Sequence, residues 1–555
     1  MTSRASGYGV RPGAAARFPS MSALAPTEFV LLTLTDWFCG AGGATQGAAL
    51  VPGVQPIMAS NHDQLAIETH SRNFPDVEHF QGDIQDLDVA THPYSDLFWA
   101  SPECTNWSRA KGKARDYTTG QLDLFGDPGP AEDVVRSRAL MQDVIRYLRG
   151  MHTRRQPVAA GIVENVIDIR DWTHWSAWVR EIQVLGYRTR LIALNSMHAQ
   201  GTRTPRAPQS RDRLYLAYWH EQLGRDPDWD RWLRPPAHCP VCDQDVAAVQ
   251  TWKRPGVDMG RYRQQYLYRC PHLHPGRPRV EVEPYFVPAA AAIDWTLPGQ
   301  RIGDKPLKEF FDKHTGASLG FHPLAPNTLA RIQSGIRRYA RPLLSPAGGT
   351  WNDTATPVDR PTRARTTREA EALVVPPLLV PVEGRGGKRA APVMSWARTQ
   401  TTRNETGLCV PPFIAELRGG GSDARPVHQA LATVTASGNH HALITQAWGA
   451  IYAFDSGALR DHHRTPLPTQ TTVEGDAVVT GQLALPAVAD CLFRMLEPHE
   501  IHAGMAFAPG YVVLGTKRER VRQLGNAVTP PAAEVLISAL VECVTGEQLD
   551  SARVA

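Results

Sequence analysis

Short apolar runs alternate with amphipathic stretches over residues 29–220, and this alternation predicts an open α/β sheet. Open α/β sheets place their functional residues at the ends of strands, so the residues that follow each predicted strand are the candidates for chemistry. The predicted strands are residues 29–35, 55–60, 82–84, 96–100, 157–163, 187–194 and 214–217. The predicted helices are residues 44–50, 64–73 and 131–150.

Reactive side chains follow two of these predicted strands. One strand is stopped by Pro102, which has no N–H for a sheet, and Cys104 lies on the loop beyond it. Glu164 occupies the same place in the topology, at the end of a later strand. Arg211 and Arg213 alternate on an extended segment, so both are expected on one face. A lone cysteine is more often a small buried apolar residue, but this one is accompanied by a strand-end carboxylate and an arginine pair.

Glycines separate the first predicted strand from the first helix, in the run Phe38-Cys39-Gly40-Ala41-Gly42-Gly43. Glycines here let a ligand approach the backbone, although glycine turns without a ligand are also common. Asn61 and Asp83 follow or end the next two strands, where polar side chains can bond a ribose and an adenine amino group. The alternative for both residues is a turn or a helix cap.

The composition narrows the class of protein. The 555 residues suffice for two to four domains, and the net charge of +4 neither requires nor excludes nucleic acid. Eight cysteines are too sparse for a disulfide scaffold, which favours a reducing compartment. No apolar run reaches the roughly 18 residues of a membrane span, so none is expected. Residues 1–28 carry no apolar core and are predicted as a disordered tail.

A cysteine-rich stretch at residues 235–285 predicts a structural zinc site. Cys239-Pro240-Val241-Cys242 has the spacing of a zinc knuckle, and Cys270 begins a second half-site. The usual position of the fourth ligand holds Leu273, so His272 or His274 must serve, and we favour His274. The alternative is a set of free cysteines in a loop-rich insertion.

Four related segments start at residues 364, 399, 433 and 469, with a period of 34 to 36 residues. Each begins with a Thr-rich run and ends with an apolar run, which predicts a hairpin. Their threonine, glutamine and basic side chains could meet phosphates and base edges, or the threonines could simply favour strands.

Five motifs in one order resemble the DNA (cytosine-5) methyltransferases of bacteria and phages. They are the glycine-rich turn at 38–43, Pro102-Glu103-Cys104, Glu164-Asn165-Val166, Gln209 to Arg213, and Gln523 to Pro531. The resemblance implies a Rossmann-like domain that uses S-adenosylmethionine and a separate, mainly β target-recognition domain. It divides the chain into a catalytic domain (29–234 and 486–555), the cysteine-rich insertion (235–285) and a target-recognition region with the four repeats (286–485).

The resemblance also implies roles for individual residues. Cys104 would add to C6 of a flipped-out cytosine, Glu164 would hold or protonate N3, and Arg213 with Arg211 would contact the base. The residues implied for the cofactor are Phe38, Gly40, Ala41, Gly42, Gly43, Asn61, His62, Asp83, Ile84, Pro102, Asn526 and Ala527. A monomer is implied, acting on double-stranded DNA in the cytoplasm of a bacterial or phage-infected cell. A restriction endonuclease of the same system is a candidate partner.

The chain departs from the family pattern beside the nucleophile and at the ribose. Glu103 precedes Cys104 and would oppose ionisation of the thiol if it faced the sulfur. Asn61 stands where the family has a glutamate. Three alternatives therefore stay beside methylation of DNA: transfer of a different group to C5, action on RNA cytosine, and a catalytically silent DNA-binding protein.

Overall fold

The computed structural model describes residues 31–102, 132–276, 279–297, 299–312, 315–326, 328–330, 332–333 and 488–551, with short β-segments between 343 and 479. The predicted tail, Cys104 with its neighbour Glu103, and the Thr-rich halves of the four repeats lie outside the described residues. The chain divides into two compact units, Met1–Val287 with His502–Ala555, and Pro288–Ile501.

A seven-stranded sheet forms the centre of the first unit. Its strands are β1 (Leu32–Trp37), β2 (Val54–Asn61), β3 (Glu78–Gln81), β4 (Leu97–Ala100), β5 (Ala160–Asn165), β6 (Tyr187–Asn195) and β8 (Asp212–His220), and the two-residue β7 (Gln209–Ser210) precedes β8. The order across the sheet is β3-β2-β1-β4-β5-β8-β6. The first five strands run parallel, whereas β8 is antiparallel to both β5 and β6. This is a Rossmann-like doubly wound sheet, with its switch point between β1 and β4.

Helices alternate with the strands along the chain. They are α1 (Gly43–Ala49), α2 (Gln64–Asn73), α3 (Glu132–Thr153), α4 (Trp175–Val184), α5 (Trp229–Leu233), α6 (Pro498–Gly504), α7 (Lys517–Asn526) and α8 (Pro530–Thr545). The last helix is apolar on every side, and most of its residues are buried in the core with those of β1, β4 and β5. The stretch Lys517–Thr545 is apolar enough to span a membrane, but 89% of its apolar window is buried inside the protein, as in a core helix.

Most predicted elements of the catalytic part agree with the structure, and the third strand does not. The prediction placed that strand at residues 82–84, whereas β3 is Glu78–Gln81 and Ile84 begins a short 3-10 helix. The reason is Asp83, whose carboxylate accepts a hydrogen bond from the Gln85 N–H at 3.1 Å and so caps the helix.

The cysteine-rich insertion belongs to the first unit and contains two short hairpins. One pairs β9 (Pro236–Cys239) with β10 (Gln244–Ala247), and the other pairs β11 (Val249–Trp252) with β12 (Tyr266–Arg269). Tyr266 and Tyr268, on the last of these strands, are fully buried.

The second unit is built from antiparallel strands in its described part. The strands are β13 (Gln300–Arg301), β14 (Lys308–Phe311), β15 (Ser318–His322), β16 (Leu343–Pro346), β17 (Thr356–Pro357), β18 (Glu371–Val374), β19 (Leu378–Pro381), β20 (Ala391–Pro392), β21 (Ala397–Arg398), β22 (Thr406–Val410), β23 (Ala450–Ala453), β24 (Ala458–Asp461), β25 (Asp476–Val479) and β26 (Leu492–Met495). The largest sheet has the order β13-β26-β22-β19-β20.

The strand pairing bears on the predicted hairpin of the second repeat only. β22 is the apolar half of the second repeat, and β19 and β26 occupy its two edges. A strand has only two edges, so this strand finds its partners outside its own repeat. The apolar halves of the first and fourth repeats, β18 and β25, pair along one edge with β16 and β23, so the hairpin stays a prediction for these repeats.

Candidate active site

The glycine-rich turn leaves β1 at the switch point of the sheet. Phe38 has a left-handed backbone (φ +62°), as do Gly40 and Gly42, and the Cys39 N–H donates to the Ser60 carbonyl at 3.1 Å. A left-handed conformation at a residue with a side chain costs about 1–3 kcal/mol and concentrates at functional sites. The turn is therefore held in a shape that an ordinary loop would relax.

The glycines are required because the C-terminal segment lies against the turn. A Cβ at Gly43 would lie 1.9 Å from the Val528 carbonyl oxygen, and one at Gly42 would lie 2.3 Å from the Tyr511 hydroxyl. That hydroxyl donates to the Ala41 carbonyl at 2.6 Å. The first and last motifs of the sequence thus meet, with Ala527 buried and Asn526 exposed at the end of α7.

The predicted ribose and adenine residues lie at the neighbouring ends of β2 and β3. The Gly82 N–H donates to the Asn61 carbonyl at 3.1 Å, which brings the two strand ends together. The Asn61 amide oxygen accepts from the Asp63 N–H at 2.9 Å, while His62 is exposed and Ile84 is buried. Asn61 and Asp83 thus both make the local turn and cap contacts that were their alternative roles, and their contacts to a cofactor stay a prediction.

Asp36, on β1, ends a buried chain of hydrogen bonds that the motifs did not indicate. Its Oδ2 accepts from the Thr45 hydroxyl at 2.7 Å, the Thr45 oxygen lies 2.9 Å from His70 Nε2, and His70 Nδ1 lies 2.8 Å from His79 Nε2. Burial raises the pKa of Asp36 to about 7 and, with His79, lowers the pKa of His70 to about 3. The members come from β1, α1, α2 and β3, so no local pattern could have shown the chain.

The predicted catalytic glutamate lies on the strand next to β4, the strand that leads to the predicted nucleophile. β4 and β5 are adjacent, with Ala100 opposite Val163, and the Asn165 amide donates to the Pro102 carbonyl at 3.3 Å. This hydrogen bond joins Pro102, two residues before Cys104, to Asn165, the residue after Glu164. This confirms that the two strand tips are neighbours.

The two predicted arginines have different partners. Arg213 Nε lies 3.0 Å from Glu164 Oε1, and both side chains are at most 14% exposed. Arg211 is buried and its guanidinium donates to the carbonyls of Gly525, at 3.2 Å, and Ala527, at 2.9 Å. Arg213 thus orients the carboxylate of Glu164, while Arg211 fixes the C-terminal motif to the catalytic strands.

The four predicted metal ligands converge in the insertion. The ligand atoms of Cys239, Cys242, Cys270 and His274 all lie within 4.8 Å of one another. Cys242 Sγ is 3.7 Å from Cys270 Sγ and 3.8 Å from His274 Nε2, and Cys239 Sγ is 3.7 Å from the same nitrogen. Tetrahedral zinc with its usual bond lengths would separate sulfur pairs by about 3.8 Å and sulfur–nitrogen pairs by about 3.6 Å. His272 Nδ1 lies 3.3 Å from Cys242 Sγ, at the rim of the cluster.

The sheet order and the strand-end residues define a Rossmann-like fold of the class that binds nucleotide cofactors, with a carboxylate–arginine pair at the ends of β5 and β8. The family description "C-5 cytosine-specific DNA methylase" matches residues 32–231, a little over a third of the chain. Four of the five motifs lie within these residues, and the match confirms the resemblance to the DNA cytosine-5 methyltransferases that was drawn from the motifs.

Individual relatives are distant. The type II methyltransferase M1.ScrFI of Lactococcus lactis subsp. cremoris is 26% identical over 133 residues, which are 24% of this chain and 33% of that protein. The match therefore spans a third of the length of that relative. A prophage-encoded E. coli protein described as a DNA modification methyltransferase aligns with 93% of this chain and 100% of its own at 14% identity, with a TM-score of 0.41. The Entamoeba histolytica methyltransferase EhMeth aligns with 92% of this chain and 98% of its own at 10% identity, with a TM-score of 0.39.

Proposed function

We propose that the protein is a DNA cytosine-5 methyltransferase that transfers the methyl group of S-adenosylmethionine to C5 of a cytosine in double-stranded DNA. One observation carries the proposal: Glu164, paired with Arg213, lies on β5 next to β4, the strand that leads to Cys104, and the glycine-rich turn leaves β1 on the other side of β4. The three strands run parallel, so the residues that follow them belong to the carboxyl end of the sheet. Doubly wound sheets bind their ligands at this end.

The chemistry requires an activated ring carbon. Cytosine C5 is a poor nucleophile until the thiolate of Cys104 adds to C6, which makes C5 enamine-like. Glu164 holds the ring at N3 and donates a proton there, which neutralises the negative charge that thiolate addition places on the ring. The cofactor supplies an electrophilic methyl group. After C5 has gained the methyl, a base takes the C5 proton, the C5–H electrons form the C5–C6 double bond, and the C6–S bond breaks to release the thiolate.

Arg213 keeps the carboxylate of Glu164 in one orientation. Its guanidinium also donates to the Asp212 carbonyl at 3.0 Å, so the arginine itself has little freedom. A carboxylate fixed in advance costs no reorganisation during the reaction. The cytosine must first leave the duplex, at a cost of a few kcal/mol.

For the cofactor, the strained turn at Phe38 to Gly43 would face the methionine part, and Pro102 and Ala527 would close the pocket. The amide oxygen of Asn61 is engaged by the Asp63 N–H, so its amide nitrogen would be the group offered to the ribose hydroxyls. His62, Asp83, Ile84 and Asn526 complete the proposed set.

We also propose that residues 286–485 recognise the target DNA and that the cysteine-rich insertion holds a structural zinc ion through Cys239, Cys242, Cys270 and His274. The interatomic distances of the cluster support the metal. Purified protein should contain one zinc per chain by elemental analysis, and Cys239→Ser/Cys242→Ser should lose it. Full zinc content in that variant would contradict the site.

The sharpest test of the function combines isotope-labelled S-adenosylmethionine with native DNA, followed by mass spectrometry of the nucleosides. We expect labelled 5-methylcytosine with the wild type and none with Cys104→Ser. A parallel reaction with RNA separates the RNA alternative, and the mass of the product identifies any other transferred group. Native DNA without modified cytosine would reject the proposal.

A further inference from the structure

The segment 258–266 of the cysteine-rich insertion contacts the start of β8 and the short helix that follows β5, the two strands that carry Arg213 and Glu164. It is a tight turn: Arg263 has a left-handed backbone (φ +62°), and the Arg261 N–H donates to the Gln265 side chain at 2.8 Å. The turn presents Arg261 and Tyr262 toward the sheet, and Tyr266 follows on β12. We infer that this segment positions the Glu164–Arg213 pair, with Tyr266 and Arg261 as positioning residues that act through Asp212 and Asp168. The inference deepens the proposed function and rests on it.

The first contact runs through Asp212, the residue between the two motif arginines. Asp212 Oδ1 accepts hydrogen bonds from the Tyr266 hydroxyl and from the Tyr262 N–H, both at 3.1 Å. The backbone carbonyl of the same residue accepts from Arg213 Nη1 at 3.0 Å. Tyr266 therefore fixes the residue on which the guanidinium of Arg213 rests, and Arg213 in turn holds Glu164.

The second contact reaches the tip of β5. Asp168 lies in the short 3-10 helix that follows Glu164-Asn165-Val166, and its side chain is 6% exposed. Arg261 Nη2 donates to Asp168 Oδ2 at 2.8 Å, and Asp258 lies 3.0 Å from Arg170 in the same helix. An ion pair with one buried partner is screened less by water and salt than an ion pair between exposed side chains. The Arg261–Asp168 pair is therefore stronger than the Arg170–Asp258 pair.

The third contact covers the end of β6. The His198 ring packs edge-on against Tyr262 and Tyr268, with centroids 4.5 and 5.0 Å apart. Burial lowers the pKa of His198 to about 3, so the ring is neutral and packs as an apolar group. The Gln250 amide donates to the Ala193 carbonyl at 2.9 Å. The insertion is thus joined to β5, β6 and β8 at the edge of the sheet that carries the pair.

The insertion offers a second, more exposed tyrosine as a control for the test. The Tyr266 hydroxyl donates to Asp212 on a catalytic strand, whereas the Tyr285 hydroxyl donates to Asp245 within the insertion. Tyr266→Phe and Tyr285→Phe each delete one hydroxyl that donates to an aspartate. The full-length proteins are compared by steady-state methylation of DNA and by hydrogen–deuterium exchange of peptides over 161–171 and 209–216.

We expect Tyr266→Phe to lower kcat about tenfold, as for a lost hydrogen bond to a charged group, with the KM for S-adenosylmethionine unchanged. Exchange in the two peptides should rise several-fold, while Tyr285→Phe matches the wild type in both measurements. In a double-mutant cycle, Asp212→Ala with Tyr266→Phe should lose less than the product of the two single effects. Unchanged exchange in Tyr266→Phe, or equal effects of both tyrosine variants, would overturn the inference. The exchange result needs no turnover, so it still discriminates if the proposed reaction is wrong.

Discussion

Replacing Asp36 by asparagine should stabilise the catalytic unit at alkaline pH. Asparagine has the same shape, its amide oxygen can still accept from the Thr45 hydroxyl, and it carries no charge. The wild-type carboxyl has no exposed surface, and its Oδ1 has no hydrogen-bond partner among the described residues. Its ionised form is therefore poorly solvated in the folded protein, and the variant removes that cost.

The magnitude follows from the pKa of Asp36, which burial raises from its ordinary value of 3.8 to about 7. Three pH units correspond to roughly 4 kcal/mol, because each unit is about 1.4 kcal/mol. Below pH 4 the carboxyl of Asp36 is protonated in both the folded and the unfolded protein, so the free energies of unfolding of the wild type and the variant differ by an amount that does not depend on pH. Between pH 4 and 7 the unfolded chain releases the proton and the folded chain keeps it, so the wild type loses stability as the pH rises. Above pH 7 the loss is complete.

The measurement is the free energy of unfolding of both proteins in urea at pH 5, 6, 7 and 8, followed by the fluorescence of the buried tryptophans. The stability difference should grow in favour of Asp36→Asn up to about pH 7 and then level off. Asp76→Asn, at an exposed carboxyl of the same unit, should show no such growth. A difference that is independent of pH, or one that shrinks as the pH rises, would refute the reasoning.

Three further outcomes are expected. Glu164→Gln should lower kcat by about 100-fold or more, because glutamine cannot donate the proton that neutralises the charge at N3. Calorimetric binding of S-adenosylmethionine should be retained, and wild-type kcat in this variant would remove Glu164 from the mechanism. Gly43→Ala should lower the melting temperature and weaken cofactor binding, since its Cβ would meet the Val528 carbonyl, whereas Gly510→Ala, with nothing within 4 Å, should be neutral in both. Removing zinc with a chelator should raise hydrogen–deuterium exchange in the peptides over 161–171 and 209–216, because Cys270 directly follows the strand of Tyr266. Unchanged exchange would show that the metal does not stabilise β5 and β8.

Local patterns predicted what local interactions determine. The alternation of apolar and polar residues placed the strands that carry Glu164 and the loop of Cys104, and the Cys-x-x-Cys spacing predicted the same four metal ligands that the structure brings together. The third strand was misplaced because an Asp that caps a helix looks, in sequence, like an Asp that ends a strand. The misplaced third strand and the correctly placed strands both depended on residues that are neighbours in the sequence.

Long-range partners could not be predicted in the same way. Tyr266 reaches Asp212 across 54 positions, and Arg211 reaches the Ala527 carbonyl across 316. These contacts depend on how the cysteine-rich insertion and a C-terminal helix pack against the strands of the sheet. The sequence around Asp212 and Arg211 contains no periodic pattern that indicates these partners. The motif arginines were identifiable by their spacing, but only the structure shows that they have different partners.

The antiparallel strand β8 explains why these partners meet at one edge. In a parallel sheet, only the carboxyl ends of strands reach the ligand edge, and β1, β4 and β5 deliver the cofactor turn, the nucleophile loop and Glu164 there. Because β8 runs the other way, its first residues lie at the carboxyl ends of these strands. Leu214 is the last residue of β8 to pair with β5, opposite Asn165, and Arg213 directly precedes it, so the Arg213 side chain reaches Glu164. The same reversal places Asp212 at this end of the sheet, where an insertion that follows β8 in the chain can return and bind it. One reversed strand thus provides both the partner of the catalytic carboxylate and the attachment point for the insertion that positions it.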